Sequence, residues 1–303
     1  MYERMSDDAI IGNFLGLPET NENPDIIIAS IPYELTTSYG QGTEYGPAAC
    51  IEASTQVELY DDLLKDNLPA GAILRTVTPW DGIGNTLHEQ LNGITKYAKE
   101  QFSSNAFPIF LGGEHGILPA IIKAIDEPVT IVQIDAHADL RDELDGEEFS
   151  HACAAARALD LGVIRLYQLG IRAYSKEELE KINSDDRIKT WFCKDVMNPC
   201  TGEKYWNEWI FEISKIKGPV HLTIDIDGLD GSIVPATGTP VPGGLSFWHA
   251  IQTIETLIEQ CNVISADVNE IVPQKDSNLT QFTAAMLVTK IIAARINKIK
   301  SGD

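Results

Sequence analysis

The chain has 303 residues, 44% of them hydrophobic, which is enough to bury a sizeable core as one large α/β domain or two smaller ones. A formal net charge of -22 and a pI near 4.5 exclude affinity for nucleic acid or an anionic membrane, since this surface repels both. A cationic ligand would be drawn in, although the same charge also serves plain solubility.

In chain order, apolar and β-branched runs alternate with amphipathic patterns. A strand at 25–31 is followed by helices at 47–64, where Pro47 suits a first turn, and 87–102. Next come strand 107–111, helix 117–125, and strands 129–135 and 164–170. The remainder reads as helix 175–182, strand 189–193, helix 204–215, strand 220–227, helix 247–260, strand 262–269 and helix 279–299. Strands interleaved with helices of this length predict a mainly parallel sheet covered on both faces. Residues 1–10 mix acids with Arg4 and lack a signal-peptide core, no apolar run is expected to span a bilayer, and no repeat or linker divides the chain, so a cytoplasmic protein is expected.

Three stretches carry chemistry: Gly112-Gly113-Glu114-His115, Asp135-Ala136-His137-Ala138-Asp139 and Asp225-Ile226-Asp227. Along an extended strand, side chains at i and i+2 share a face, so Asp225 and Asp227 are expected to aim at one point, as are Asp135, His137 and Asp139. Ligands of open α/β sheets bind outside the carboxyl ends of the strands, where these groups would converge. A lone Asp-x-Asp often just caps a helix or starts a turn. Three ionisable groups beside a buried apolar run, however, are costly without a counter-charge, and a cation removes that cost. Oxygen-rich ligands with some imidazole point to two Mn²⁺ ions, and Ni²⁺ or Co²⁺ fits the same cage.

Five cysteines, Cys50, Cys153, Cys193, Cys200 and Cys261, show no C-x-x-C spacing and are expected as free thiols. Cys153 lies two residues after His151, so a thiol nucleophile beside a histidine is the alternative reading there. His221 and His249 are expected as packing or surface residues, and His88 lies in no motif.

The ligand motifs occur with Ile31-Pro32-Tyr33, Gly42-Thr-Glu-Tyr-Gly-Pro47, Ser150-His151, Gly238-Thr239-Pro240, Gly243-Gly244 and Asp267-Val-Asn-Glu270-Ile-Val-Pro273. Over most of its length the chain thus resembles the ureohydrolase family of arginases, agmatinases and their relatives. Ser150-His-Ala-Cys153 and Leu169-Gly-Ile-Arg172 look more like agmatinases. The resemblance implies a single three-layer α/β/α domain over residues 1–303. One ion would take His115, Asp135, Asp139 and Asp225, the other Asp135, His137, Asp225 and Asp227, with Asp135 and Asp225 bridging. A water shared by the ions would become the hydroxide that attacks a guanidinium carbon. The implied catalytic residues are His151, Glu270 and Asp139. Of these, Glu270 would hold the guanidinium through paired hydrogen bonds, and His151 would bring a proton to the departing amine.

Departures from the family pattern are Gly116 where serine is common, a loop 39–47 without arginines, Thr223 for serine, and Asp230-Gly231 for Asp-Pro. The loop 140–149 lacks the asparagine that arginases use, and its acids suit a terminal ammonium, whereas Arg141 could receive a carboxylate. The expectation is a dimanganese amidinohydrolase converting agmatine to putrescine and urea in polyamine biosynthesis, and a homo-oligomer, trimer or hexamer as relatives are. Alternatives are guanidinobutyrate, guanidinopropionate, arginine or guanidine as substrate, hydrolysis of a formimino group, or a silent relative that only binds a partner.

Overall fold

The computed structural model describes residues 12–302, and the reading of residues 1–10 lies outside them. The elements in order are β1 (Ile26–Ile31), α1 (Gly46–Ser54), β2 (Tyr60–Asp61), β3 (Asp66–Asn67), β4 (Leu74–Thr76), α2 (Leu87–Phe102), β5 (Phe107–Gly112), α3 (Leu118–Ala124), β6 (Thr130–Ile134) and α4 (Ala154–Asp160). They continue with β7 (Arg165–Ile171), α5 (Lys176–Ser184), β8 (Ile188–Phe192), α6 (Cys193–Val196), α7 (Gly202–Ile213), β9 (Pro219–Asp225), α8 (Phe247–Gln260), β10 (Asn262–Asn269) and α9 (Leu279–Ser301).

Eight strands form one sheet in the order β4-β1-β5-β10-β9-β6-β7-β8, and β2 and β3 make a separate antiparallel pair. Every pairing in the large sheet is parallel, so it is wholly rather than mainly parallel. Burial on both faces explains the continuous apolar runs. In β1, Ile26 and Ile28 join a core with α1, α7, α8 and α9, whereas Ile27, Ala29 and Ile31 join one with α2 and α3. Helix starts are chemically marked: Thr86 with Glu89, Ser175 with Glu178 and Ser246 with His249 each form a reciprocal cap.

Helix α1 stops at Ser54, ten residues before the predicted end. There the hydroxyls of Ser54 and Thr55 bond back to the carbonyls of Ile51 (2.6 Å) and Glu52 (2.8 Å), and the chain turns into the β2–β3 hairpin. Strand β4, helix α4 and the short α6 were not predicted, being brief or alanine-rich without a clear period, and Cys193 opens α6 instead of ending β8. Helix α9 is long and apolar enough to cross a membrane by length and composition, contrary to the expectation of no such run. Since 72% of its most apolar stretch is buried inside the fold, it is a core helix here.

Two strand ends differ from expectation in a way that matters. Strand β6 ends at Ile134 and β9 at Asp225, with Ile226–Gly228 forming a 3₁₀ turn. The i, i+2 alternation of an extended strand therefore does not aim the aspartates; the turns that follow the strands do.

Candidate metal centre

Four adjacent strands at the middle of the sheet, β5, β10, β9 and β6, deliver the site from their carboxyl ends. After β5, Gly113 passes between neighbouring backbones: its N–H donates to Ile31 O (2.9 Å) and its carbonyl accepts Glu270 N–H (2.8 Å). A Cβ there would lie 1.9 Å from Tyr33 O, which is why the motif needs glycine. After β6, His137 N–H folds back onto Asp135 Oδ1 (2.6 Å), and Asp139 adopts a left-handed φ of 54°. After β9, Asp227 N–H donates to Asp225 Oδ1 (2.9 Å), while Ala136 N–H donates to Asp227 Oδ1 (3.0 Å) and ties the two turns together.

These turns form two clusters that share Asp135: His115, Asp135 and Asp139, and Asp135, His137 and Asp227. His115 Nδ1 faces Asp135 Oδ2 (3.1 Å), Asp139 Oδ2 (3.1 Å) and Asp225 Oδ2 (3.7 Å). On the other side, His137 Nδ1 faces Asp227 Oδ2 (3.0 Å) and Asp135 Oδ1 (3.8 Å). Asp135 thus points one oxygen into each cluster.

A pair of divalent cations fits this donor set. Thr223 Oγ1 donates to Asp267 Oδ1 (2.6 Å) and so accepts the Nε2 proton of His115 (2.8 Å). That leaves Nδ1 buried, without a hydrogen-bond partner, among three carboxylates. Four aspartates also match the charge of two divalent cations. Without them the site is frustrated. Burial pushes the Asp135 carboxyl up to about 7, helped by Asp139 and Asp227. For His137, burial opposes the charged ring, but Asp227 outweighs it and raises the imidazole to about 10. Asp225 is driven well up by burial and by its carboxylate neighbours. The two halves differ in access, since the His115 side chain is 2% exposed and that of His137 27%.

Glu270 is buried at the end of β10 in a left-handed conformation, φ 62°. Its Oε1 accepts His115 N–H (2.8 Å), its Oε2 faces Gly238, and burial together with Glu114 raises its carboxyl well above the ordinary range. Non-glycine residues at positive φ are uncommon, and Asp139 and Glu270 are two of six among the described residues. His151 is half-buried in the 3₁₀ turn His151–Cys153, with its ring near the hydroxyls of Thr36, Ser38 and Ser150.

Several other expectations can be placed. Cys153 Sγ is directed to Glu147 O (3.9 Å), and burial pushes its thiol up to about 11, which removes the basis for a thiol nucleophile. His221 is fully buried between Ser265 and Asp267 (2.7 and 2.6 Å), and His249 caps α8. Arg141 lies 3.9 Å from Glu178, and Asp142 of the acidic loop is engaged by Lys181 and Arg157.

Sequence reasoning missed the supports. Gln133 Nε2 donates to Asp135 Oδ2 (2.8 Å), and Gln168 braces Gln133 (2.9 Å) and Ala138 O (2.8 Å). The readable signal was a glutamine in each of two buried strands, which must find partners. Arg172 gives its whole guanidinium to carbonyls: Asp227 (2.7 Å), Gly228 (3.2 Å), Leu229 (3.2 Å), Gly170 (3.3 Å) and Val241 (2.9 Å from Nη2). It clamps the turn that carries Asp227.

A family model described as the arginase family matches residues 24–294. The chain belongs to the arginase family. It is 34% identical over 279 residues to the N(1)-aminopropylagmatine ureohydrolase of Synechocystis sp., covering 88% of each chain. It is 33% identical to the agmatinase of Pyrococcus horikoshii, covering 89% of this chain and 92% of that one. The crystal structure of agmatine ureohydrolase of Thermoplasma volcanium superposes with a TM-score of 0.80 at 27% identity, over 93% of each chain. This arginase-family chain is accordingly a hydrolase with a binuclear metal-binding cluster.

Proposed function

We propose that the enzyme hydrolyses agmatine to putrescine and urea with two Mn²⁺ ions held by His115, Asp135, Asp139, Asp225, His137 and Asp227. The observation that carries this is His115 Nδ1, orphaned among three carboxylates and one residue from the buried Glu114, with Glu270 hydrogen-bonded to its own backbone. When bound, the cations supply the Lewis acidity that makes water a nucleophile at neutral pH. Glu270, fixed by His115 N–H, turns its other oxygen to the guanidinium and holds the planar carbon square to the attacking water. Asp139 accepts that water's proton. His151 delivers a proton to the departing amine nitrogen, and urea leaves. Because the His137 side is the more exposed, the substrate enters there.

A second substrate has specific support. N(1)-Aminopropylagmatine is named for the relative at 34% identity, and both compounds pair a guanidinium with cationic amines, which suits an acidic chain. The same reading carries a single catalytic domain, a cytoplasmic location and a homo-oligomer, with Ni²⁺ or Co²⁺ as substitutes for Mn²⁺.

The test is urea release by the manganese-loaded protein from agmatine, N(1)-aminopropylagmatine, arginine, guanidinobutyrate, guanidinopropionate and guanidine, with Asp227→Ala as control. Preferred turnover of agmatine, lost in the control, is expected. Preference for the aminopropyl compound would move the substrate assignment, and no urea from any substrate would sink the amidinohydrolase reading.

A further inference from the structure

The loop after β1 is organised by one buried carboxylate. Glu114 is inaccessible to solvent, and its Oε1 accepts the backbone N–H groups of Leu35, Thr36 (2.6 Å) and Thr37 (3.0 Å). Its Oε2 accepts the hydroxyl proton of Thr36. Three amides and a hydroxyl converging on one side chain fix Thr36 to the backbone that also carries His115.

A threonine hydroxyl has one proton and two lone pairs. With that proton committed to Glu114, Thr36 Oγ1 can only accept from its remaining neighbours, which are the backbone N–H of His151 (3.0 Å) and His151 Nδ1 (3.3 Å). A hydrogen on Nδ1 satisfies this contact, and Ser150 Oγ, 3.4 Å from Nδ1, is able to accept from it as well. In the neutral ring this leaves the lone pair on Nε2, the nitrogen that lies 3.4 Å from Ser38 Oγ on the exposed side. In the protonated ring it leaves an Nε2 proton free to donate.

The geometry points to Thr36 as a positioning residue that fixes the tautomer and orientation of His151, so that Nε2 is the atom exchanging a proton with the departing amine. This rests on the proposed role of His151. Thr36 acts through the imidazole, and Glu114 acts through Thr36. Nothing in the composition of the chain signals it, because the three residues are 78, 37 and 115 positions apart in their pairings and meet only at the ends of β1, β5 and the turn after β6.

The experiment is a mutant cycle on the metal-loaded enzyme with agmatine or whichever guanidino compound it turns over. Thr36→Val keeps the shape and removes the hydroxyl, Thr36→Ser restores it, and Thr36→Ala replaces the valine variant if that does not fold. The expected result is a fall in kcat of about 10- to 100-fold for Thr36→Val with KM within about threefold, a displaced pH profile, and recovery to within about threefold in Thr36→Ser. Two metals per chain should be retained. In a His151→Asn background, Thr36→Val should have no further effect, since a group acting only through His151 cannot act when it is gone. An unchanged kcat in Thr36→Val, failure of serine to restore it, or an additive effect in the double variant would each overturn the proposal. If His151→Asn alone left kcat unchanged, the assigned role of His151 would fall instead, and this inference with it.

Discussion

Replacing Arg172 by alanine isolates the clamp on the Asp227 turn. Its guanidinium serves five main-chain carbonyls, three of them consecutive at residues 227–229, and no carboxylate. A hydrogen bond contributes about 1 kcal/mol net, and one to a fully buried charged group more; taking the lower figure because water reaches this half-buried site, five carbonyls give a loss of about 3–5 kcal/mol. Against a total stability of about 5–15 kcal/mol for a domain, that is a large fraction. The loss should also be local. The turn carrying Asp227 is freed, whereas His115 stays fixed by Thr223 and Asp267. Urea denaturation of the metal-loaded protein should therefore show the destabilisation. Metal analysis should show about one ion per chain where the parent holds two, and Arg172→Lys should recover about a third of the loss, because one ammonium reaches fewer carbonyls than a planar fork. A change under about 1 kcal/mol, or equal loss of both ions, would mean that the guanidinium does not hold the turn.

Gly113→Ala places a methyl 1.9 Å from Tyr33 O, a backbone atom that cannot rotate away, and should leave little soluble protein; normal expression and activity would count against the packing described. Lys290→Met leaves Asp61 Oδ2 without its partner at 2.6 Å in a side chain 3% exposed, its Oδ1 still accepting Leu63 N–H, and should cost about 3 kcal/mol in equilibrium unfolding with activity retained; a neutral effect would show the pair to be dispensable. The metal-free protein should lose stability as pH rises. The folded state binds protons more tightly than the unfolded chain on Asp135, from 3.8 to about 7, and on His137, from 6.5 to about 10. Stability is therefore lost across the first interval and then the second. Calorimetric melting between pH 6 and pH 8.5 checks the sign, and a melting temperature that rises over that range would contradict it. Metal binding at pH 7.5 should release protons, visible as a heat that depends on the buffer.

Periodicity gave the layers well because each strand lies in a parallel sheet buried on both faces and each long helix has one apolar side. It failed where length or pattern was short: β4 has three residues, α4 is mostly alanine, and α1 ends where Ser54 and Thr55 redirect their hydroxyls to the backbone. The ligand-type residues were legible from residue type and spacing, but the reason assigned to the spacing was incorrect. Asp135, His137 and Asp139 are placed by a turn, not by strand alternation; the turn sends Asp139 to one cluster and His137 to the other instead of aiming all three at one point, and it leaves no period to read. Thr36 and Arg172 were illegible for another reason: their partners at Glu114 and residues 227–229 lie far away in sequence, whereas Gln133 and Gln168 signalled only that a buried strand amide needs a partner, and the fold reveals which.

The left-handed residues Asp139 and Glu270 explain why the sheet alone does not make the site. A strand that simply continued past Ile134 or Asn269 would carry its side chains out along the sheet; reversing φ at one residue in each loop turns a carboxylate back over the strand ends. Such backbone costs on the order of 1–3 kcal/mol per residue and persists only where surrounding contacts enforce it. Here the enforcement is specific: Asp139 O accepts Ala156 N–H at 3.0 Å, and Glu270 is held at both ends, by Gly113 O on its N–H and by His115 N–H on its carboxylate. Cation binding relieves the remaining repulsion among the carboxylates. Strained backbone, buried charge and an orphaned imidazole nitrogen thus converge on the same strand ends, and what one pair of divalent ions relieves there is what the fold stores.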